Sequence, residues 1–373
     1  MMKSLEDVLV VALEQAVAAP FASARLADAG ARVIKIERPG GDFARRYDTA
    51  VAGESSYFVW LNRGKQSLVL DLDDDDDVAL LHRLVARADV FLQNLAPGAA
   101  ERRGFGGDRL RTSNPRLIVC EIRGFAADTA FADAKAYDLV VQAESGLASV
   151  TGSADAPGRV GAPVVDIGAG QTAHAAILEA LFARERTGEG ASLSIAMFDV
   201  MADWLNVPLL LWEQGGEPTP RTGLHHSAIA PYGVYATADG PRLLVVQNER
   251  EWQRFCAVVL GRPDLATDPD FDHIRGRVAH RTRLDAVIED ALAGLSAAEL
   301  DARLAQAEIA SGRVNDLEAL SRHAALTRAM VDVAGRRIAL AAPPVRREGR
   351  ASTTLAPPPR LDEHGAIVRS EFR

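Results

Sequence analysis

Short aliphatic runs alternate with helix-length segments through the first half of the chain. Val8–Leu13, Val33–Glu37, Leu68–Leu72, Val90–Leu92, Leu117–Ile122 and Ala191–Ala196 each read as a buried strand. Between the first two, Pro20 stands at a first helical position and Gly30 where a helix stops. That is a βαβ unit, so a parallel sheet is predicted. Asp73–Asp77 precede Val78, Leu80, Leu81 and Leu84 and read as a solvated helix entrance; the spaced ligands and central glycine of a calcium loop are absent. Gly161–Gly188 reads as a short strand at Val164–Val165 closed by Asp166, then Gly168 and Gly170, then a helix over Gln171–Arg184. Asp199–Trp212 is strongly apolar, with a kink or break expected at Pro208.

The pattern changes after Gly215–Gly223, a linker-like stretch holding Pro218 and Pro220. Tyr232–Ala236 and Leu243–Gln247 flank a turn with Asp239-Gly240, a hairpin signal. Helices are predicted over Trp252–Leu260, Arg283–Leu292 and Ser296–Gln306, the last opening on a Ser296/Glu299 capping box. Past Ile338 the chain turns proline-rich. The expected organisation is a large α/β domain over 1–215, completed by 338–373, a linker over 216–228, a small α+β domain over 229–325, and a return segment over 326–373.

Composition narrows the function. The 373 residues are 48% apolar and 25% charged, ordinary for a globular chain with room for two cores. A net charge of -9 argues against nucleic acid or an anionic membrane as partner. No apolar run reaches the ~18 residues of a membrane span, and Met1–Asp7 lacks a secretory pattern; a cytoplasmic protein is expected. Cys120 lies in an apolar run and reads as a buried, inert thiol, and with only Cys256 beside it neither a disulfide framework nor a zinc site is indicated. His225 and His226 are adjacent and have no evident third ligand, so no metal is expected. The loop Glu14–Ala19 contains no glycine, which removes the fingerprint of a nicotinamide or flavin site.

Asp166 has two local readings. It is a helix N-cap, although Ala169 provides no capping box. Alternatively it is an ionised carboxylate beside glycines, able to act as a nucleophile. Arg38, Asn94, Arg102, Arg103 and Lys135 each fall on or near a loop after a strand. In a parallel sheet those loops share one edge, so together the cations suggest an anionic ligand with several phosphates. Taken alone, Arg38 also reads as a solvated surface arginine.

Several stretches resemble the class III CoA-transferases, the family of formyl-CoA:oxalate and carnitine CoA-transferases. They are Gln15–Pro20, Leu26–Ala31, Val33–Gly40, Asn62–Leu68, Ala88–Val90, Asn94, Pro97-Gly98, Gly104-Phe105, Asn114–Arg116, Asp166 with its helix, Arg186–Gly190 and, more loosely, Gly312–Asp316. The resemblance implies a Rossmann-like large domain, a smaller domain on two linkers, and a homodimer of interlocked rings. It implies Asp166 as catalytic aspartate, with CoA held at Arg38, Asn94, Leu95, Arg102, Arg103, Lys135 and Tyr137. It puts Tyr137 and Asp138 near the reacting thioester, with Val17, Asp138 and Gly168 expected close to the substrate; attack by a carboxylate also needs oxyanion donors, for which the backbone N–H groups near Ile167–Gly170 are candidates. Val17 stands where the oxalate enzyme has a glutamine, which argues against oxalate or formate. The related α-methylacyl-CoA racemases have a histidine before the second aspartate; Tyr137 stands there, and with a pKa of about 10 it is a poor base. A CoA-binding protein without turnover is the remaining alternative, and the glycine-flanked Asp166 argues against it. The stretch Tyr137–Gly146 resembles members that act on mesaconate, itaconate or citramalate with succinyl-CoA as donor. The expected partners are therefore an acyl-CoA and a short carboxylic acid.

Overall fold

The computed structural model describes residues 4–345 and 354–373. Two compact units emerge: Met1–Leu147 with Arg159–Val207 and Thr327–Arg373, and Ala148–Gly158 with Pro208–Leu326. The chain therefore leaves the first unit twice, after Leu147 and after Val207, where the hydrophobic pattern suggested one exit near residue 215.

The first unit is built on β1 (Leu9–Leu13), α1 (Ala18–Asp28), β2 (Arg32–Glu37), α2 (Ser56–Asn62), β3 (Gln66–Val69), α3 (Asp75–Arg87) and β4 (Val90–Gln93). There follow α4 (Ala99–Arg102), α5 (Gly107–Ser113), β5 (Ile118–Arg123), α6 (Asp138–Glu144), α8 (Val164–Thr187), β6 (Ser192–Ala196) and α9 (Met197–Trp204), with a short turn α7 (Leu147–Val150) where the chain leaves the unit. Six strands pair in parallel in the order β3-β2-β1-β4-β5-β6. The chain starts in the middle, runs to one edge, then crosses back past β1 to β4. At that reversal the connections diverge and leave a crevice beyond the carboxyl ends of β1 and β4. Both faces are covered along the central strands β1 and β4, which are apolar runs, whereas edge strand β6 alternates exposed Ser192 and Ser194 with Leu193 and Ile195. Val10, Ala12, Val33, Leu92 and Cys120 pack on one side with α1 and α8; Val11, Ile34, Ile36 and Phe91 pack on the other with α3.

Two sequence expectations need correction here. The third strand is Gln66–Val69, set by its register against Ile34–Glu37 of β2, and Leu70 continues that pairing only through its N–H to the Glu37 carbonyl. Val164–Val165 is not a strand but the first turn of α8, after Pro163 as N-cap. The acidic run does form a helix entrance, with the Asp74 side chain accepting from the Asp76 and Asp77 N–H groups.

Gly168 and Gly170 lie inside α8, and they serve packing rather than ligand approach. A Cβ on Gly170 would stand 2.5 Å from the Ala18 carbonyl oxygen of α1. One on Gly168 would press the Trp204 ring at 3.1 Å and the Met201 methyl at 3.2 Å. The apolar segment breaks at Leu205 into α9 and α10 (Asn206–Gly215), three residues before Pro208, which lies within α10.

The second unit carries an antiparallel sheet of β7 (Tyr232–Tyr235), β8 (Arg242–Val245) and β9 (Ala310–Gly312). Its helices pack Trp252, Phe255, Leu284 and Leu300 together, and the last long one, Ala297–Gln306, opens on the Ser296/Glu299 capping box. No helix among the described residues is long and apolar enough to cross a membrane.

Candidate active site

The strand-order reversal sets two loops side by side, Glu14–Val17 after β1 and Asn94–Pro97 after β4. Asn94 joins them: its Oδ1 accepts from the Gln15 N–H and its Nδ2 donates to the Gln15 carbonyl, both at 2.9 Å. Ala16 follows with φ +61°, a left-handed conformation uncommon for a residue with a Cβ. Its N–H donates to Asp42 Oδ1 at 3.2 Å. Val17 caps α1 without a side-chain acceptor, and no described residue accepts from the N–H of Ala18 or Ala19. The positive end of the α1 dipole therefore opens on the crevice.

A buried ionic network underlies these loops. Lys65 Nζ lies 2.6 Å from Glu14 Oε1, and Lys35 Nζ lies 2.9 Å from Asp42 Oδ2 and 3.6 Å from Glu14. Arg45 grips Glu37 with two bonds of 2.7 and 2.8 Å. Burial opposes the Glu37 carboxylate, yet Arg45 and Lys35 hold its pKa at about 2. Burial also opposes the Lys35 ammonium, but Glu14 and Asp42 outweigh it and raise its pKa. Lys65 goes the other way: burial draws it down to about 8 against the pull of Glu14. The network fixes the Ala16 backbone through Asp42, whose Oδ1 receives that N–H while Oδ2 receives Lys35.

Asp166 sits half-buried in the first turn of α8. It does not cap its helix. Asp138, from the first turn of α6, does: its Oδ2 accepts from the Val165 N–H at 2.8 Å and the Asp166 N–H at 3.3 Å. The other oxygen accepts from Gln142 Nε2 at 2.6 Å. Gln142 in turn receives the Val160 N–H at 2.8 Å, so one relay ties α6, the loop before α8 and the start of α8 together. Burial first, and the Asp138 charge second, push the Asp166 carboxyl up to about 7. A carboxyl in that state is more basic than an ordinary one and ionises near neutrality. The expected oxyanion donors of Ile167–Gly170 are spent inside the helix, as the Ile167 bond to the Pro163 carbonyl at 3.0 Å illustrates. The unspent N–H of Ala18, which lines the cleft beside Asp166, is an available one.

Asp166 opens into a cleft of about 420 Å³ within the first unit. Of the residues singled out from sequence, Val17, Asn94, Leu95, Lys135, Tyr137 and Asp138 line it. Arg38, Leu95 and Arg103 line a neighbouring cavity of about 250 Å³. Arg38 Nε donates to the Gly41 carbonyl at 3.2 Å, and Arg103 is held by the Leu72 carbonyl and the Asp73 carboxylate. Arg102 and Gly168 line neither space; Arg102 folds toward the Pro97 carbonyl at 3.5 Å.

The sequence reading missed Phe43, Tyr47, Tyr57, Arg123 and Arg159, all of which line the cleft. Tyr47 packs edge-on to Tyr57 with ring centres 5.4 Å apart and tilts against Phe43 at 5.8 Å. Partial burial, with Asp42 and Asp166 facing it, raises its phenol to about 12, so it stays a neutral donor. The spacing of Phe43 and Tyr47, one helical turn apart after Gly40-Gly41-Asp42, was a usable signal. Cys120 is buried with its thiol pushed up to about 12, and no group of metal-ligating side chains occurs among the described residues.

A family model for CoA-transferase family III matches residues 5–365. An acetyl-CoA:oxalate CoA-transferase from Acetobacter aceti is 37% identical over 98% of this chain and 95% of its own length. A succinate–glutarate CoA-transferase from Agrobacterium fabrum is 34% identical over 99% and 95%. The crystal structure of a CaiB/BaiF family protein from Brucella suis is 30% identical, with a TM-score of 0.83 over 100% of both chains.

Proposed function

The chain belongs to CoA-transferase family III, and on that premise we propose that Asp166 is the nucleophile that moves CoA from succinyl-CoA to a four- or five-carbon dicarboxylate such as mesaconate, itaconate or citramalate. The reading rests above all on one observation: a carboxyl raised to about 7 opens into a cleft that also holds Arg123, Lys135 and Arg159. The Agrobacterium relative, named for succinate and glutarate, supports the acid class.

The Asp166 carboxylate attacks the thioester carbonyl. The tetrahedral adduct expels CoA thiolate and leaves a mixed anhydride. Thiolate then attacks the aspartyl carbonyl, forming an aspartyl-CoA thioester and releasing the donor acid. The acceptor carboxylate attacks that thioester, and returning thiolate takes the new acyl group and frees Asp166. Each tetrahedral oxyanion needs fixed donors, and the Ala18 N–H with the Tyr47 hydroxyl is suited to it. In this reading the adenosine end of CoA occupies the cavity at Arg38 and Arg103. The pantetheine arm runs past Asn94 and Leu95 to Lys135 and Tyr137. Val17 and Asp138 flank the thioester, Asp138 as the carboxylate that orients and raises Asp166.

A homodimer of interlocked rings is part of the proposal. It is supported by the exposed apolar row on α10, where Val207 is 68% and Trp212 58% accessible. Light scattering tests it, and a monomer would refute it.

The chemical proposal is tested by incubating the enzyme with succinyl-CoA, quenching in hydroxylamine and weighing the peptide that carries Asp166. The expected product is its hydroxamate, with transfer lost in Asp166→Ala. Full-speed transfer by that variant, or an unlabelled Asp166, overturns the nucleophile. Acceptance of oxalate or monocarboxylates alone overturns the acid class. Exchange of the α-hydrogen of a 2-methylacyl-CoA without CoA transfer would favour a racemase.

A further inference from the structure

Resting on the dicarboxylate reading above, we infer that Arg159 is the specificity-determining residue, receiving the carboxylate at the far end of the acid from the one that carries CoA. Three cations line the Asp166 cleft, and they are not equivalent. The Arg123 guanidinium is built into the wall: Nη2 donates to the Ala132 carbonyl at 3.2 Å, and Nη1 lies 3.9 Å from Glu121. Lys135 is an exposed ammonium, a point charge without a planar fork. Arg159 is exposed, and no described carboxylate pairs with it.

Its side chain is nevertheless aimed. Nε donates to the Val160 carbonyl at 3.3 Å and Nη2 to the Gly161 carbonyl at 3.2 Å. Those bonds use the side-on edge of the guanidinium. The opposite edge, formed by Nη1 and the second hydrogen of Nη2, has no acceptor among the described residues. Two parallel N–H groups are what a planar carboxylate accepts in bidentate fashion.

Position relative to the nucleophile is also fixed. Val160 is held by Gln142, Gln142 by Asp138, and Asp138 by the N–H groups of Val165 and Asp166. The loop that carries Arg159 and the turn that carries Asp166 therefore share one set of hydrogen bonds. A rigid interval between a nucleophile and an unpaired guanidinium suits a molecule with a reacting carboxyl at one end and an ionised one at the other.

The test is exchange of a labelled acid into its own thioester, comparing succinate/succinyl-CoA with butyrate/butyryl-CoA, which match in chain length and differ in end charge. Arg159→Gln is expected to lower kcat/KM for succinate exchange by about ten- to a hundredfold, the range for a lost charge-assisted bond. Butyrate exchange should stay unchanged, and calorimetric affinity for free CoA should hold within about twofold. Arg159→Lys should fall between. Equal loss with both acids, or weakened CoA binding, would assign Arg159 to the thioester or its phosphates and overturn the inference. Unaltered succinate exchange would also overturn it. A wild-type enzyme that exchanges only monocarboxylates defeats the substrate class itself, and that result is read before any variant is made.

Discussion

Replacing Asp138 by Asn tests why Asp166 titrates where it does. Its carboxyl stands at about 7 instead of 3.8, with burial the larger cause and Asp138 the second. Close to half of the free enzyme at pH 7 then carries the carboxylate. Asp138 Oδ2 is 3.3 Å from the Asp166 N–H, so the two acids are immediate neighbours. Burial carries the larger part of that rise of about three pKa units, which leaves Asp138 about one unit or about 1.4 kcal/mol, the repulsion of like charges about 6 Å apart at an effective dielectric of ~40. Asp138→Asn removes that repulsion and keeps the larger effect of burial, so the midpoint should drop from about 7 to about 6. The assay is kcat/KM for acyl-CoA between about pH 5 and 9, which follows the free enzyme. At pH 6 the ionised fraction, and with it the rate, should rise about fivefold over wild type. Above about pH 8 both enzymes are ionised and the variant should be slower, since the less basic carboxylate is the weaker nucleophile. The amide oxygen still accepts from the Val165 N–H, but Gln142 Nε2 loses Asp138 and keeps only its longer bond to the Val160 carbonyl, a cost of about 1 kcal/mol that thermal melting checks. A midpoint that stays near 7, or rises, would refute the electrostatic account.

Four further outcomes follow from the same geometry. Because the folded pKa of Asp166 lies above its unfolded value, the fold loses stability as pH rises from about 4 to 7, by up to about 4 kcal/mol. Asp166→Asn should therefore melt higher than wild type at pH 8 and level with it at pH 4; a lower melting point at pH 8 would contradict this. Gly170→Ala forces α1 and α8 apart at the Ala18 carbonyl and should cost about 1–3 kcal/mol in urea denaturation, whereas an unmoved midpoint would deny the close crossing. Lys65→Met leaves Glu14 buried with a poorer partner and should cost about 3–5 kcal/mol, most of it recovered in the Lys65→Met/Glu14→Gln double variant. Cys120 and Cys256, both buried with thiols pushed up to about 12, should not react with an aromatic disulfide at pH 8 until denaturant is added. Any thiol seen earlier in that assay would have to come from CoA, and reaction of the intact apoenzyme would rule the burial out.

The parallel sheet is legible because its central strands β1 and β4 are buried on both faces and so spell apolar runs. Asp166 stands out in the sequence for a partly mistaken reason. Val164 and Val165 looked extended because β-branched residues suit strands, but Pro163 begins a helix there and Asp138, distant in sequence, satisfies its first N–H groups. No local pattern announces a cap supplied from another helix. The glycines looked like openings for a ligand and prove to be sites of helix crossing, a distinction only packing reveals. Lys35 and Lys65 were passed over because lysines are read as surface residues by default, yet both are buried against carboxylates. Arg159 was invisible for a related reason: its value lies in which edge of the guanidinium is left over, and a sequence carries no record of that.

Behind the strand ends lie three cations and three anions, Lys35, Lys65 and Arg45 with Glu14, Glu37 and Asp42. Neutralising any one member leaves an opposite charge buried with a lost or poorer partner. A lineage can wander freely over the exposed helices, but across this patch it advances two codons together or stands still. The crevice above inherits that inertia: new acids are to be accommodated by altering its walls, on a foundation that single-letter change cannot rework.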